Sequence, residues 1–284
     1  LAETVAGALK TRHTTARVTR DDFLAERDRI LTAMDQPSID GVNTYFVAKA
    51  AHDAGLKVAL SGLGGDEMFG GYDSFTQIPK LVSALGWIPG GRFLGRGLRA
   101  VTGPAIKRFA SPKYAGLLEY GTRFGDAYLL RRGLFMPWEL PGVLDPDLVR
   151  EGWRALAPLI RLDDDTVRIK EPKRKIAALE IGWYMRNQLL RDADWAGMAH
   201  SLEIRVPLVD LELYKRLAPV MGRPRGPDKR AFALSPETAL PGAVLNRPKT
   251  GFFVPVHEWL QADAGSGERG LRGWARHVYR AAAA

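Results

Sequence analysis

The sequence predicts an α/β protein, a parallel sheet with flanking helices followed by a mainly helical half, and three observations predict it. A short apolar run, Leu56-Lys57-Val58-Ala59-Leu60, sits between Gly55 and Gly62, the length and punctuation of a buried strand rather than a helix. A helical pattern precedes the run and a glycine-rich, doubly acidic loop follows it, the order of a helix-strand-loop-helix unit in a parallel sheet. From Phe75 to Arg191 the pattern is helical, broken by Gly and Pro at Gly86-Trp87-Ile88-Pro89-Gly90-Gly91 and at Met136-Pro137-Trp138.

Taken in order, residues 43–54 form the helix of that unit. Asn43 is its expected cap, Phe46, Val47, Ala50, Ala51 and Ala54 its apolar face, and Gly55 its stop. The strand occupies 57–61. Beyond it, Gly62, Gly64, Gly65 and Gly70 cost conformational entropy and pack nothing, so their use is close backbone approach to a ligand with amides turned toward an anion. Asp66 and Glu67 supply oxygens of the kind magnesium prefers, near the start of the next helix and at the carboxyl end of the strand, where open α/β sheets bind ligands. A plain glycine turn carrying two solvated acids is the competing reading of the same residues.

In the helical half, Ile176, Leu179, Trp183 and Leu190 stand at helical spacing and mark one buried face. Arg92 to Phe109 carries a basic amphipathic pattern, but Gly95, Gly97, Gly103 and Pro104 interrupt it, which favours a solvated face over a membrane-surface helix. The tail from Asp263 to Ala284, with Gly265, Gly267, Gly270 and Gly273 and terminal alanines, is expected to fray. The domains so defined are 1–75 for the sheet, 76–262 for the helical part and 263–284 for the tail.

Composition narrows the function classes. A chain of 284 residues that is 46% hydrophobic and 26% charged can bury a sizeable core. No stretch approaches the ~18 apolar residues of a membrane span, and no signal-peptide pattern stands at Leu1. The absence of cysteine excludes disulfides, thiolate metal sites and a cysteine nucleophile within this chain. The formal charge of +9 invites a nucleic-acid reading, but the arginines are scattered, with no nucleic-acid motif and little aromatic interleaving, so no nucleic-acid partner is expected. The five histidines show no metal-ligand spacing.

Three segments carry a resemblance to a known family. Ser61-Gly62-Leu63-Gly64-Gly65-Asp66-Glu67-Met68-Phe69-Gly70-Gly71-Tyr72 resembles the Ser-Gly-x-Gly-x-Asp-Glu-x-Phe-x-Gly-Tyr signature of the synthetase domain of glutamine-hydrolysing asparagine synthetases. The stretch from Leu189 through Asp194, Met198, Ala199, Ser201, Glu203, Arg205 and Pro207 to Asp210 is similar to that family's Asp-x-x-x-Met-Ala-x-Ser-x-Glu-x-Arg-x-Pro-x-x-Asp block. Arg247-Pro248-Lys249-Thr250-Gly251-Phe252 resembles its Arg-x-Lys-x-Gly-Phe block. The three keep the family's order, and the region they span runs from about residue 35 to residue 260.

The resemblance implies an adenine-nucleotide alpha-hydrolase (PP-loop ATPase) fold, ATP and Mg²⁺ as cofactors, and carboxylate adenylation followed by amide formation. It assigns Ser61, Gly62, Gly64, Gly65, Asp66 and Glu67 to ATP, with Asp66 the metal ligand, Lys249 as an active-site lysine that neutralises developing charge, and Asp194 as the candidate to orient that lysine. Glu203 and Arg205 border the substrate pocket; two opposite charges two residues apart lie on one side of an extended chain, ready for buried ion pairs. The implied substrates are ATP, aspartate or another carboxylate, and ammonia from glutamine. A glutaminase domain upstream, cytoplasmic location and a homodimer as one candidate assembly complete the expectation.

Two departures matter. The family's Ser-Gly-Gly-x-Asp-Ser phosphate loop does not occur here, and Leu1 to Arg20 looks like the stretch that follows it, with Val5 to Leu9 ending a helix and Thr14 to Val18 forming a strand. The chain is therefore expected to be a piece of a longer protein and, by itself, not to exchange pyrophosphate into ATP. The third signature position, often acidic in asparagine-forming members, is Leu63, which can neither accept a hydrogen bond nor a proton. Amide ligases for sugar acids or beta-amino acids, and a non-catalytic nucleotide- or partner-binding paralogue, stay open as alternatives.

Overall fold

A computed structural model describes residues 1–109, 111–223, 226–246, 254–256, 258–259 and 271–283, with the backbone alone described at 104–109. The chain forms two compact units. The first comprises Leu1–Gly71, Trp183–Met221 and Gly226–Ala284; the second comprises Tyr72–Gly182 and Gly222–Arg225. The division differs from the one drawn on sequence at 75 and 262, because the chain returns to the first unit after 182 to supply the second strand.

In the first unit, helices α1 (Ala2–Ala8), α2 (Arg20–Ala33) and α3 (Val42–Asp53) precede strand β1 (Val58–Leu60) and the short helix α4 (Gly65–Phe69). α2 opens with a capping box: Asp22 N donates to Thr19 Oγ1 at 3.2 Å and Thr19 N donates to Asp22 Oδ2 at 2.8 Å, two otherwise orphaned amides satisfied reciprocally. Gly41, not Asn43, takes the cap position of α3, and Asn43 Oδ1 instead accepts from Thr44 N. Its buried residues are Val42, Tyr45, Phe46 and Ala48, while Val47 is exposed, so the face expected from the alanines is rotated toward the larger side chains. Gly55, at φ +80°, closes it as expected.

β1 pairs in parallel with β2 (Glu203–Arg205), in the register Val58 with Glu203, Ala59 with Ile204 and Leu60 with Arg205. The sheet has these two strands among the described residues, and Val58 and Leu60 are 39% and 75% exposed. The expected burial of this strand is thus not observed; a two-stranded sheet has too few neighbours to cover both faces. Nor do residues 14–18 form a strand; 11–19 run without regular structure.

The core of this unit gathers Phe23 and Ile30 of α2, Val42, Tyr45 and Phe46 of α3, Trp195 and Ala196, and Trp274 and Val278. The last two belong to a helix, Arg272–Ala283, where a frayed tail was expected. Trp274 is 1% exposed and meets Phe23 edge-on at 5.9 Å, so an i,i+4 apolar pair in an alanine-rich, helix-favouring segment anchors it.

The second unit is helical, as expected: α5 (Ser74–Leu85), α6 (Gly91–Phe109), α7 (Leu117–Tyr120), α8 (Phe124–Arg132), α9 (Pro146–Leu156), α10 (Pro158–Val167) and α11 (Pro172–Leu179). Buried Glu180 ties three segments together by accepting from Ser74 Oγ, from Tyr128 Oη at 3.1 Å and from Arg132 Nε at 3.2 Å. After α11 the helix continues as a π-helix over Glu180–Leu189 and returns to α geometry in α12 (Leu190–Met198). The widened turns shift the helix phase: Ile176 and Leu179 are fully buried as expected, but Trp183 and Leu190 are half-buried, and Asp192, Ala193, Trp195 and Ala196 take the interior.

Candidate active site

The residues at 61–67 assemble at the carboxyl ends of both strands. Ser61 N donates to Arg205 O at 2.8 Å, carrying the parallel ladder one residue past β1. Ser61 Oγ then accepts from Leu63 N at 3.4 Å, a hydroxyl turn that bends the chain away from the sheet. Gly64 lies at φ +95°, where a side chain would be strained, and a Cβ there would stand 3.1 Å from Val209 and 3.3 Å from Leu208. The loop therefore packs directly on the turn that leaves β2, 206–209, closed by the hydrogen bond from Val209 N to Val206 O.

The two acids of the loop have different surroundings. Glu67 is 1% exposed, and its Oε2 accepts from Gly64 N at 3.1 Å, so it caps the first turn of α4 from within. That bond gives Glu67 a structural task, and it occupies one of the amides expected to face an anion. Asp66 is partly exposed; its side chain keeps 26% of its surface, and its Oδ1 accepts from Lys229 Nζ at 2.5 Å. A Cβ on Gly71 would fall 1.8 Å from the same Oδ1, so the glycine makes room for the carboxylate. Gly71 N in turn donates to Asp66 O at 2.8 Å.

Lys229 escaped the sequence reading. It opens α14 (Lys229–Ala233), which Asp228 caps by accepting from Ala231 N at 2.8 Å. The Asp-Lys start of a capped helix was the available signal, but nothing local ties it to Asp66. On the same helix Phe232 stacks on Phe69, ring centroids 4.6 Å apart and planes 7° from parallel.

Glu203 and Arg205 are brought to one side of β2 as the spacing required. Arg205 donates to Glu203 at 2.8 Å through Nε and at 3.3 Å through a terminal nitrogen. Both side chains are 59% exposed, so the pair is a surface fork rather than the buried pair expected; the uncovered face of a two-stranded sheet is the reason. The hydrogen bonds from Arg205, then its charge, hold the Glu203 carboxyl below the ordinary range and raise the Arg205 guanidinium. Asp210 caps α13 (Leu211–Leu217), its Oδ1 accepting from Leu213 N at 2.7 Å. Asp194 lies exposed on α12, and Lys249, with the whole Arg247–Phe252 segment, lies outside the described residues.

A further polar recess in this unit, of about 150 Å³, is lined by Asp35, Ser38, Gln188, Arg191, Asp192 and Trp195, among others. Asp192 Oδ1 accepts from Trp195 Nε1 at 2.9 Å, and burial pushes its carboxyl up to about 6. In the same unit, Tyr184 Oη and Gln188 Nε2 both donate to Asp40, at 3.1 and 3.3 Å. Residues one turn apart on the π-helix thus share one acceptor. In the helical unit a cavity of about 850 Å³ is lined by Arg92, Arg96, Arg99, Glu119, Trp138 and Trp153, among others. Three of its arginines are tied to acids, Arg99 to Glu119 at 2.6 Å, Arg123 to Asp163 at 3.0 Å and Arg92 to Asp126 at 4.0 Å.

Among the described residues no three acids or histidines cluster as a metal cage. Asp66 suits a different arrangement, since magnesium is commonly held by one or two carboxylates with the remaining oxygens supplied by substrate phosphates and water. Glu67 commits one carboxylate oxygen to Gly64 N.

In this α/β unit a glycine-cornered loop carrying a carboxylate stands at the carboxyl ends of two parallel strands, the place where open α/β sheets bind ligands. The chain belongs to the asparagine synthase family, whose model matches residues 1–279. It is 31% identical to a putative glutamine-hydrolysing asparagine synthetase of Mycobacterium tuberculosis over 264 residues, 90% of this chain and 39% of that protein. A protein of Mycobacterium bovis described in the same words matches to the same extent. It is 28% identical to the glutamine-hydrolysing asparagine synthetase 1 of Bacillus subtilis over 287 residues, 98% of this chain and 42% of that protein. The chain thus spans about two fifths of the length of these curated relatives. No solved structure is significantly similar to it. No helix among the described residues is long and apolar enough to cross a membrane.

Proposed function

We propose that this chain forms part of a cytoplasmic, ATP-dependent amide ligase that adenylates a carboxylate and then aminates it, with aspartate the first substrate to test and asparagine its product. The observation that carries the reading is the Asp66 carboxylate, held on a glycine-cornered loop at the ends of two parallel strands in a member of the asparagine synthase family. In the first step a substrate carboxylate oxygen attacks the α-phosphorus of ATP and the bond to pyrophosphate breaks. In the second, ammonia attacks the acyl carbon, AMP departs with the bonding electrons, and the amide loses its extra proton. A magnesium ion would neutralise the polyphosphate, and Asp66 is the described residue that would hold it. Ser61 and Gly62 border the same loop, and Lys249 is assigned to charge stabilisation during acyl transfer. Glutamine, through a glutaminase domain elsewhere in the full-length protein, is the proposed nitrogen source.

Leu63 favours a second reading in which the acceptor is a different carboxylate, because an apolar side chain stands where asparagine-forming members often carry an acid. The test is substrate-dependent exchange of labelled pyrophosphate into ATP by the full-length protein, first with aspartate and then with sugar acids and beta-amino acids. Asp66→Asn and Lys249→Ala are each expected to lower turnover by at least ~100-fold, the scale of losing a metal ligand or a charge stabiliser. Exchange that is unchanged in Asp66→Asn removes the loop from the reaction; exchange with another acid and none with aspartate selects the second reading.

A further inference from the structure

Helices α4 and α14 meet through two matched rungs. Asp66 and Phe69 lie one turn apart on α4, and Lys229 and Phe232 lie one turn apart on α14; the first pair makes the ion pair and the second the ring stack. The stack, with Phe69 7% exposed, supplies apolar contact that docks α14 regardless of charge. A half-exposed ion pair adds little to such docking. Lys229 is therefore delivered to the carboxylate by packing, while 51% of its side-chain surface stays exposed, and its four-carbon stem lets the ammonium turn away.

Charge balance gives that placement a use. With no ligand, the ammonium neutralises the carboxylate. A divalent cation and the lysine compete for the same Asp66 oxygens, and a polyphosphate arriving with the cation offers the displaced ammonium stronger acceptors. We propose that Lys229 is a phosphate-binding side chain of this site, held on Asp66 in the empty protein and exchanged onto a polyphosphate oxygen when Asp66 takes up a divalent cation. The proposal rests on reading the loop as a nucleotide site and adds the residue that answers the phosphate charge.

The test uses the full-length protein and two binding measurements that do not depend on turnover. Lys229→Met, which keeps an apolar stem for packing, should weaken ATP binding in excess Mg²⁺ by about tenfold or more, and Lys229→Arg should stay within about threefold of the wild type. Mn²⁺ binding without nucleotide, followed by electron paramagnetic resonance, should become tighter in Lys229→Met, because the competitor for Asp66 is gone. A merely structural lysine would weaken both or neither. Equal ATP affinity in Lys229→Met and wild type, or Mn²⁺ affinity that is unchanged or lower, overturns the proposal. Absence of ATP binding by the wild type overturns the nucleotide reading itself. Lys229→Gln serves in the same comparison if the methionine variant does not fold.

Discussion

At the scale of single residues, adjacent acids in one loop have opposite surroundings. Glu67, 1% exposed and bonded to Gly64 N, holds the turn; Asp66, partly exposed beside Lys229, faces outward. Glu67→Ala would leave a buried amide unsatisfied and should cost about 1–3 kcal/mol of stability. Glu67→Gln, which retains an acceptor oxygen, should cost less than about half of that. Chemical denaturation of both variants checks the order; equal losses would deny Glu67 its capping task. The contrast was not legible in the sequence, where Asp66 and Glu67 are neighbours with the same chemistry. Only the left-handed conformation of Gly64 aims its N–H back at residue 67.

At the scale of elements, local signals were read well and distant pairings were not. The turn residues around 55–65, the helix ending at Gly55 and the two-residue spacing of Glu203 and Arg205 are properties of short segments, and the structure keeps them. The expected burial of β1 failed because burial belongs to the sheet, not to the strand. The periodicity around 176–190 misled because an i→i+5 stretch leaves no compositional mark while advancing the helix phase differently. The terminal helix is the clearest case: glycines argued for fraying, yet Trp274 and Val278, one turn apart, fill the core. Trp274→Ala should cost about 3–5 kcal/mol, the range for emptying a buried aromatic site. Urea unfolding that shows a loss under about 1 kcal/mol would mean that this helix does not anchor the unit.

At the scale of the whole molecule, each compact unit holds a carboxyl whose ionisation burial opposes. Burial raises Asp192 in the first unit and Asp126 in the second to about 6 from an ordinary value of 3.8. Because the folded value lies above the unfolded one, the contribution favours folding fully below about pH 4 and is lost as pH rises through about 6. Each group thus lowers stability at neutral pH, by up to about 3 kcal/mol from the size of the shift. Asp192→Asn, which leaves an oxygen for Trp195 Nε1, and Asp126→Asn should each be more stable than the wild type at pH 7.5 and lose that advantage at pH 4. Unfolding free energies at the two pH values measure this, and parallel profiles for wild type and variants would sink it.

The strand pair described above also dictates an order of events in time. β1 ends at Leu60 and its partner begins at Glu203, so the ladder closes only after the intervening chain has been made and folded; Asp66 and Lys229 are 163 residues apart. Contacts of such long sequence separation carry a large loop-closure cost and form slowly. During synthesis the loop therefore exists before the surface it packs on. On the proposed reading of the loop, its charge partner joins it only once Lys229 has been made, and a ligand bridging Asp66 and Lys229 would act as a fastener for that closure.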